Sequence, residues 1–220
     1  MTHDHAHTED FSQHFTAEFW DARYATGSIW SGNPNPVLVE KVESLTPGTA
    51  LEVGSGEGAD AIWLATRGWN VTAIDVSTVA LARAAEHADA GGTAIASRIT
   101  WQQADVANWD PAPHRYDLIS AQFMHLPRPM LTALHRRLAA AVRPGGTLLI
   151  VNHHPADLET TMQRPNIADM FATAEEMAHV LEPGQWSIET SAPKRQAVDP
   201  EGMTITISDT VLQAVRKVDA

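Results

Sequence analysis

The chain has 220 residues, with 15 Lys+Arg against 27 Asp+Glu and a formal net charge of -12. That length favours one domain with a substantial core, and the acidic balance argues against a nucleic-acid partner, whose phosphates need basic patches. There is no cysteine, so disulfides, thiolate catalysis and cysteine-bound zinc are excluded; no apolar run approaches the roughly 18–20 residues of a bilayer span.

The polar opening MTHDHAHTED is not a secretory signal, and the reading is a cytoplasmic enzyme. Residues 1–9 read as a disordered tail carrying His3, His5 and His7; alternate histidines grip a metal ion if extended, or bind metal only adventitiously. A helix is expected over 10–26, with Phe11, Phe15, Phe19 and Trp20 on one side. SIWSGNPNP is turn-rich, and 37–45 resumes a helix that ends at Pro47-Gly48.

The chain then alternates. Strands are expected at 49–53, 70–75, 98–105, 116–122 and 147–152. Helices are expected at 60–68, at 78–90 behind the cap Ser77, and at 130–142. A long polar loop, 153–171, is a candidate cover for a site. A helix over 172–181 and strands over 186–191 and 203–217 close the chain. This is an α/β pattern: a doubly wound, Rossmann-like, mostly parallel seven-stranded sheet with helices on both faces and an antiparallel last strand. The expected division is a helical cover over 10–48, a cofactor-binding core over 49–152, and a substrate loop with closing strands over 153–220.

Residues 51–60 read LEVGSGEGAD. Glycines let backbone bend sharply and approach a ligand, and the following helix offers free N–H groups. Two cofactors fit. Gly54-x-Gly56-x-x-Ala59 matches the dinucleotide fingerprint, with Asp75 placed for a ribose hydroxyl. Against it stand Glu52 ahead of the turn, Gly58 completing an E-x-G-x-G-x-G pattern, and Asp105 in QQADV, placed to accept from an adenine amino group. A two-strand finish, which a doubly wound dehydrogenase does not need, points the same way.

LEVGSGEGAD, TAIDVS, QQADV, YDLISAQFMHL and RPGGTLLIV together resemble the motifs of the class I S-adenosylmethionine-dependent methyltransferases. FWDARYATGSIWSGNPNP also resembles the small-molecule branch that includes thiopurine and tellurite methyltransferases. The resemblance implies S-adenosylmethionine as cofactor and S-adenosylhomocysteine as product. It implies that Gly54, Gly56 and Gly58 line the methionine part, that Glu52 sits near its ammonium, and that Asp75 holds the ribose hydroxyls. Val76 and Val106 would pack on adenine, Asp105 would meet its amino group, and Gln122 would face the methionyl chain. Arg23, Tyr24 and Trp30 become candidate contacts of an N-terminal cover. Structural duties compete throughout: Asp75 as a helix cap, Asp105 as a loop acid, Trp20 and Tyr24 as packing four apart on a helix. Trp63 and Trp69 read as core or interface.

Methyl transfer is an in-line displacement that needs alignment and a dry site, and no metal. A base helps only where the acceptor carries a proton. His125, His153 and His154 are candidates at the sheet's carboxyl edge, with His125 and His153 leading; loop hydrogen bonding, or a metal site with Asp157, are the competing duties. AQFMHLP after the fourth strand lacks the Asn/Asp-Pro-Pro-aromatic motif of amide- and adenine-nitrogen methylation. A small acceptor is therefore expected: a thiol, phenol, amine or metalloid oxyanion, on a monomer or homodimer. The rival readings are an NAD(P)-dependent oxidoreductase, for which no Tyr-x-x-x-Lys pair is present, and a non-catalytic S-adenosylmethionine-binding protein.

Overall fold

A computed structural model describes residues 16–164 and 168–218. The histidine tail and the first turns of the helix expected over 10–26 lie outside the described residues.

Helix α1 (Ala17–Ala25) starts where the Thr16 hydroxyl accepts the Phe19 N–H, and α2 (Pro36–Val42) where the Asn35 side chain accepts that of Val37; both are side-chain N-caps. The alternation follows as expected: β1 (Thr49–Val53), α3 (Ala59–Thr66), β2 (Asn70–Asp75), α4 (Thr78–Ala90), a single turn α5 (Thr93–Ala96), β3 (Ile99–Gln103), β4 (Tyr116–Gln122), α6 (Arg128–Ala141) and β5 (Val142–His153). The loop after β5 is not featureless. It holds 3-10 turns at Pro155–Glu159 and Ala168–Met170 before α7 (Ala174–Ala178). Strands β6 (Trp186–Ser191), β7 (Lys194–Val198) and β8 (Thr204–Arg216) end the chain.

The sheet runs β3-β2-β1-β4-β5-β8-β6. The first five strands are parallel, and β8 is antiparallel to β5 and β6. This path has the expected seven strands, but β7 is an eighth. The long β8 pairs β5 with its second half, while Thr204–Ser208 runs beyond and pairs β7. The connecting turn is built by Asp199, whose carboxylate accepts the Glu201 and Met203 N–H groups. KRQAV carries no apolar alternation, so nothing in it signalled a strand.

Alternation along the strands divides the core. Leu51, Val53, Ile119 and Ile150 face α6 and α7 through Leu134, Leu138 and Met177. Ala50, Leu118, Leu149 and Val151 face α2 and α3 through Leu38 and Leu64. Trp69 is core, whereas Trp63 is half-buried with the Arg67 guanidinium over its ring. Each fully buried leucine stabilises the fold by about 1.5–3 kcal/mol. Strand order reverses between β1 and β4, and a doubly wound sheet opens its crevice at that point, beyond the carboxyl ends of the strands.

Candidate active site at the carboxyl edge of the sheet

Glycines 54, 56 and 58 all hold left-handed backbone, with φ of 71, 51 and 88°. A side chain would meet different neighbours at each. A Cβ on Gly54 would lie 2.5 Å from Met124 Sδ, and one on Gly56 2.9 Å from Tyr24 Oη. One on Gly58 would lie 2.7 Å from the Trp101 ring and 2.9 Å from Ala84 Cβ. Gly54 and Gly56 therefore address the cleft. Gly58, expected beside them, instead lets α3 and α4 close on β3.

Two acids organise the next turn. Asp75 accepts the Gly56 N–H at 2.8 Å and the Ser77 N–H at 2.9 Å. Burial pushes its carboxyl up while these bonds hold it down. The helix cap is Ser77, which accepts the Ala80 N–H, so Asp75 is left to shape the turn around Val76. Asp105 is exposed, two residues past β3, and accepts from Ala107 N and Asn108 Nδ2 at 2.9 and 2.8 Å. Val106 behind it is half-buried, its carbonyl accepting from Arg137. Each carboxylate oxygen keeps a further lone pair for a ligand.

Glu52 is 1 % exposed, and its Oε2 has no partner among the described residues. Burial raises its carboxyl well above the usual range, with Asp60 adding to the effect and the Ser120 hydroxyl opposing it. Gln122 donates to Ser120 Oγ at 2.8 Å and accepts from Asn35 Nδ2 at 2.9 Å. The Asn35 N–H donates to Asp60 at 2.6 Å, and burial raises that carboxyl to about 6. A buried acid lacking a partner is costly, and an ammonium donor beside Glu52 relieves it. Two side-chain-free cleft positions, an orphan acid oxygen and the Asp75 carboxylate fit an amino acid joined to a nucleoside.

The cover meets this cradle through Tyr24 and Trp30, both expected there, and through Glu57, Arg83 and Asp21, which the sequence did not single out. Tyr24 is buried and accepts from Trp30 Nε1 at 2.9 Å, and burial pushes its phenol to about 12. Glu57, inside the glycine turn, accepts from Ser28 Oγ and from the N–H groups of Ile29 and Trp30 at 3.0–3.2 Å. Arg83 donates to Glu57 at 2.7 Å and to the carbonyls of Gly27 and Tyr24 at 2.8 and 2.9 Å. Asp21 accepts from Ser77 Oγ and the Val79 N–H, tying α1 to the start of α4. A signal existed: Arg83 lies three residues after the buried Ala80, on the same helical face, an expensive place for an unpaired charge. Arg23, expected at the site, is exposed with its guanidinium 5.8 Å over the Trp20 ring. Its charge lies near enough to Tyr24 to oppose the rise of that phenol.

Beyond β4 the backbone is strained. Phe123 holds φ 52° while its N–H donates to Val151 O at 2.7 Å; such conformations cost of order 1–3 kcal/mol in a non-glycine residue. The bend brings the leading histidines together. The His125 and His153 rings stack at 5.2 Å, and Phe123 lies 4.5 Å from His153 on the next ring of the series. His125 Nε2 is buried without a partner among the described residues. Burial lowers its pKa to about 4, with His153 and Arg164 adding to the effect. His153 is lowered too, chiefly by burial, against Asp209. Its Nδ1 lies 3.3 Å from Arg164 Nη2 and 3.7 Å from Asp209 Oδ1; it accepts from Arg164 in one neutral tautomer and points its N–H at Asp209 in the other. His154 is a cap, accepting the Ala156 N–H. No three His, Asp or Glu side chains are grouped for a metal ion among the described residues.

A family model described as a methyltransferase domain matches residues 50–146. A 2-heptyl-1-hydroxyquinolin-4(1H)-one methyltransferase of Mycobacteroides abscessus is 24 % identical over 177 residues, 79 % of this chain and 74 % of that one. A ubiquinone biosynthesis O-methyltransferase of Vibrio cholerae is 32 % identical over 136 residues, 59 % of this chain and 53 % of that one, so the chain spans about half of its length. Among solved structures, a protein from work on the conversion of a disulfide bond into a thioacetal group during echinomycin biosynthesis superposes with a TM-score of 0.71 at 21 % identity, over 93 % of both chains. DhpI in complex with SAH superposes at 0.62 and 22 % identity, over 93 % of this chain and 96 % of that one. The two structural likenesses speak for the fold.

Proposed function

Because the chain is a class I S-adenosylmethionine-dependent methyltransferase, we propose that it methylates a small acceptor held beside His125 and His153. The carrying observation is a juxtaposition. The glycine turn under Tyr24 and Trp30 follows β1, and of the stacked histidines His125 follows the neighbouring β4 and His153 ends β5.

When bound, S-adenosylmethionine supplies an electrophilic methyl group: the acceptor's lone pair forms the new bond to carbon, the carbon–sulfur pair returns to sulfur, and S-adenosylhomocysteine leaves. The protein's part is placement. Gly54 and Gly56 let the methionyl portion lie against backbone, Glu52 faces its ammonium, and Gln122 borders its carbon chain. Asp75 takes the ribose hydroxyls, Val76 and Val106 flank adenine, and Asp105 meets its amino group. Tyr24 and Trp30, held down by Glu57 and Arg83, keep water from the turn. At neutral pH His125 is uncharged with a free Nε2, so it takes the acceptor's proton. His153 keeps that ring in place by stacking against it.

The relatives are methyltransferases of a hydroxyquinolinone and of ubiquinone biosynthesis, and a net charge of -12 disfavours nucleic acid. No described helix is long and apolar enough to cross a membrane; we place the enzyme in the cytoplasm as a monomer or homodimer. A thermal-shift screen tests the reading. S-adenosylhomocysteine should raise the melting temperature by mass action, and methylation should appear with a panel of thiols, phenols and amines. Stabilisation by NAD(P) in its place overturns it.

A further inference from the structure

Beside the histidines lies a second polar group without a full set of partners. The Arg164 side chain is 14 % exposed, and its Nε is buried with no partner among the described residues. Its Nη2 makes two long contacts, 3.4 Å to Asp157 Oδ2 and 3.3 Å to His153 Nδ1. The carboxylates nearby are better served. Asp157 also accepts the Ser208 N–H at 2.9 Å. Asp209 is held by Arg195 at 2.8 and 3.3 Å. A guanidinium offers five N–H donors and keeps its charge, so a buried one with an idle Nε is prepared for an acceptor that these carboxylates do not supply. Its neighbours are flat: Phe123, His153 and His125 form a series of rings.

We propose that Arg164 is the anchor of the methyl-acceptor subsite, binding a carboxylate carried by a flat, ring-bearing acceptor whose nucleophilic atom faces His125. The proposal rests on the methyl-transfer reading of this edge and adds the class of acceptor. A carboxylate matches the guanidinium fork with paired charge-assisted bonds, and a ring lies against the aromatic series. Selectivity follows from the same geometry, because an amide of identical shape presents one neutral acceptor where the fork and its idle Nε call for a charged pair of oxygens.

The test is calorimetric titration of the protein loaded with S-adenosylhomocysteine. The probes are 2-, 3- and 4-hydroxybenzoate and the three matching hydroxybenzamides. At least one acid should bind about tenfold or more tightly than its amide. Arg164→Gln should erase that preference, and Arg164→Lys, which keeps the charge but not the fork, should retain only part of it. The proposal is overturned if no acid exceeds its amide, the case in which none of the six binds included. It is also overturned if the preference survives unchanged in the glutamine variant, or in the lysine variant should the glutamine variant not fold. Loading separates the two levels: absent S-adenosylhomocysteine binding removes the methyl-transfer reading itself, whereas intact loading without acid preference removes the anchor alone.

Discussion

The Trp30 indole N–H donates to the Tyr24 phenol at 2.9 Å, and the pair stands directly over Gly56. A Cβ there would lie 2.9 Å from the phenol oxygen and 3.4 Å from the indole nitrogen, on backbone with φ 51°. Left-handed backbone costs an ordinary residue roughly 1–2 kcal/mol, and the contact adds to it. Gly56→Ala should lower the melting temperature by several degrees and weaken S-adenosylhomocysteine binding at least tenfold. Scanning calorimetry and titration calorimetry read the two effects; wild-type affinity in the variant would place the ligand elsewhere.

Glu57 gathers three donors from residues 28–30 and a fourth from Arg83. Removing its charge leaves the Arg83 guanidinium facing a neutral amide, in a position where breaking one partner of a buried pair costs up to about 3–5 kcal/mol. Arg83 is 24 % exposed along its side chain, so the lower part of that range applies. Glu57→Gln is expected to loosen the cover: faster proteolysis between residues 25 and 35, and a three- to tenfold loss of cofactor affinity. An unchanged digestion pattern would mean that Asp21 and Asn35 suffice to hold the cover.

Asp75 shapes its turn by accepting the Gly56 N–H on one oxygen and the Ser77 N–H on the other. Asp75→Asn keeps the size but turns one acceptor into a donor, which faces the N–H of Gly56 or Ser77. Affinity for S-adenosylhomocysteine should fall tenfold or more. Adenine alone, lacking ribose, should bind the variant and the parent equally, and a parallel loss for adenine would indicate a collapsed turn.

The parallel core was legible because each of its signals is local: glycine-terminated helices, β-branched strands, and the acids Glu52, Asp75 and Asp105 near the carboxyl ends of β1, β2 and β3. So was the placement of His125 and His153 at the carboxyl edge, the one following β4 and the other ending the adjacent β5. What escaped depends on contacts distant in sequence. Glu57 and Arg83 are 26 residues apart, and Asp209 and Arg164 reach His153 from β8 and from the loop after β5. The resemblance of the N-terminal segment pointed to Arg23, whereas Arg83 reaches the cover from α4 through Gly27, Tyr24 and Glu57. Strand β7 was hidden because its pairing is set by the turn at Asp199, not by its own composition.

His135 is 2 % exposed on α6, its Nε2 has no partner among the described residues, and burial lowers its pKa to about 4. An unfolded histidine titrates near 6.5. Between these values the unfolded chain binds the proton and the folded chain does not, so stability is full above about 6.5 and falls as pH drops toward 4. At its limit the effect is on the order of 3 kcal/mol. Asp60, raised to about 6, works in the opposite direction over nearly the same window, binding its proton more readily when folded. His135→Leu should therefore narrow the gap between melting temperatures at pH 7 and pH 4.5. An unaltered gap would show that His135 titrates as an exposed histidine does.

His125 carries the chemical proposal, and its pKa gives a distinctive profile. A histidine titrating near 6.5 would lose basicity across the neutral range, whereas one held at about 4 by burial stays unprotonated throughout it. The enzyme-side limb of kcat/KM should remain flat from pH 8 down to about 5 and fall only as pH approaches 4. His125→Gln should lower kcat by about 10²–10³ for an acceptor that carries its proton at the assay pH, with cofactor affinity within twofold of the parent. For an acceptor already ionised, the same variant should lose far less, because no proton needs a destination. The comparison separates two roles that a single activity measurement merges. Equal losses on both acceptors would make His125 a positioning residue held by its stack on His153; a loss confined to the protonated acceptor identifies the free Nε2 as the base.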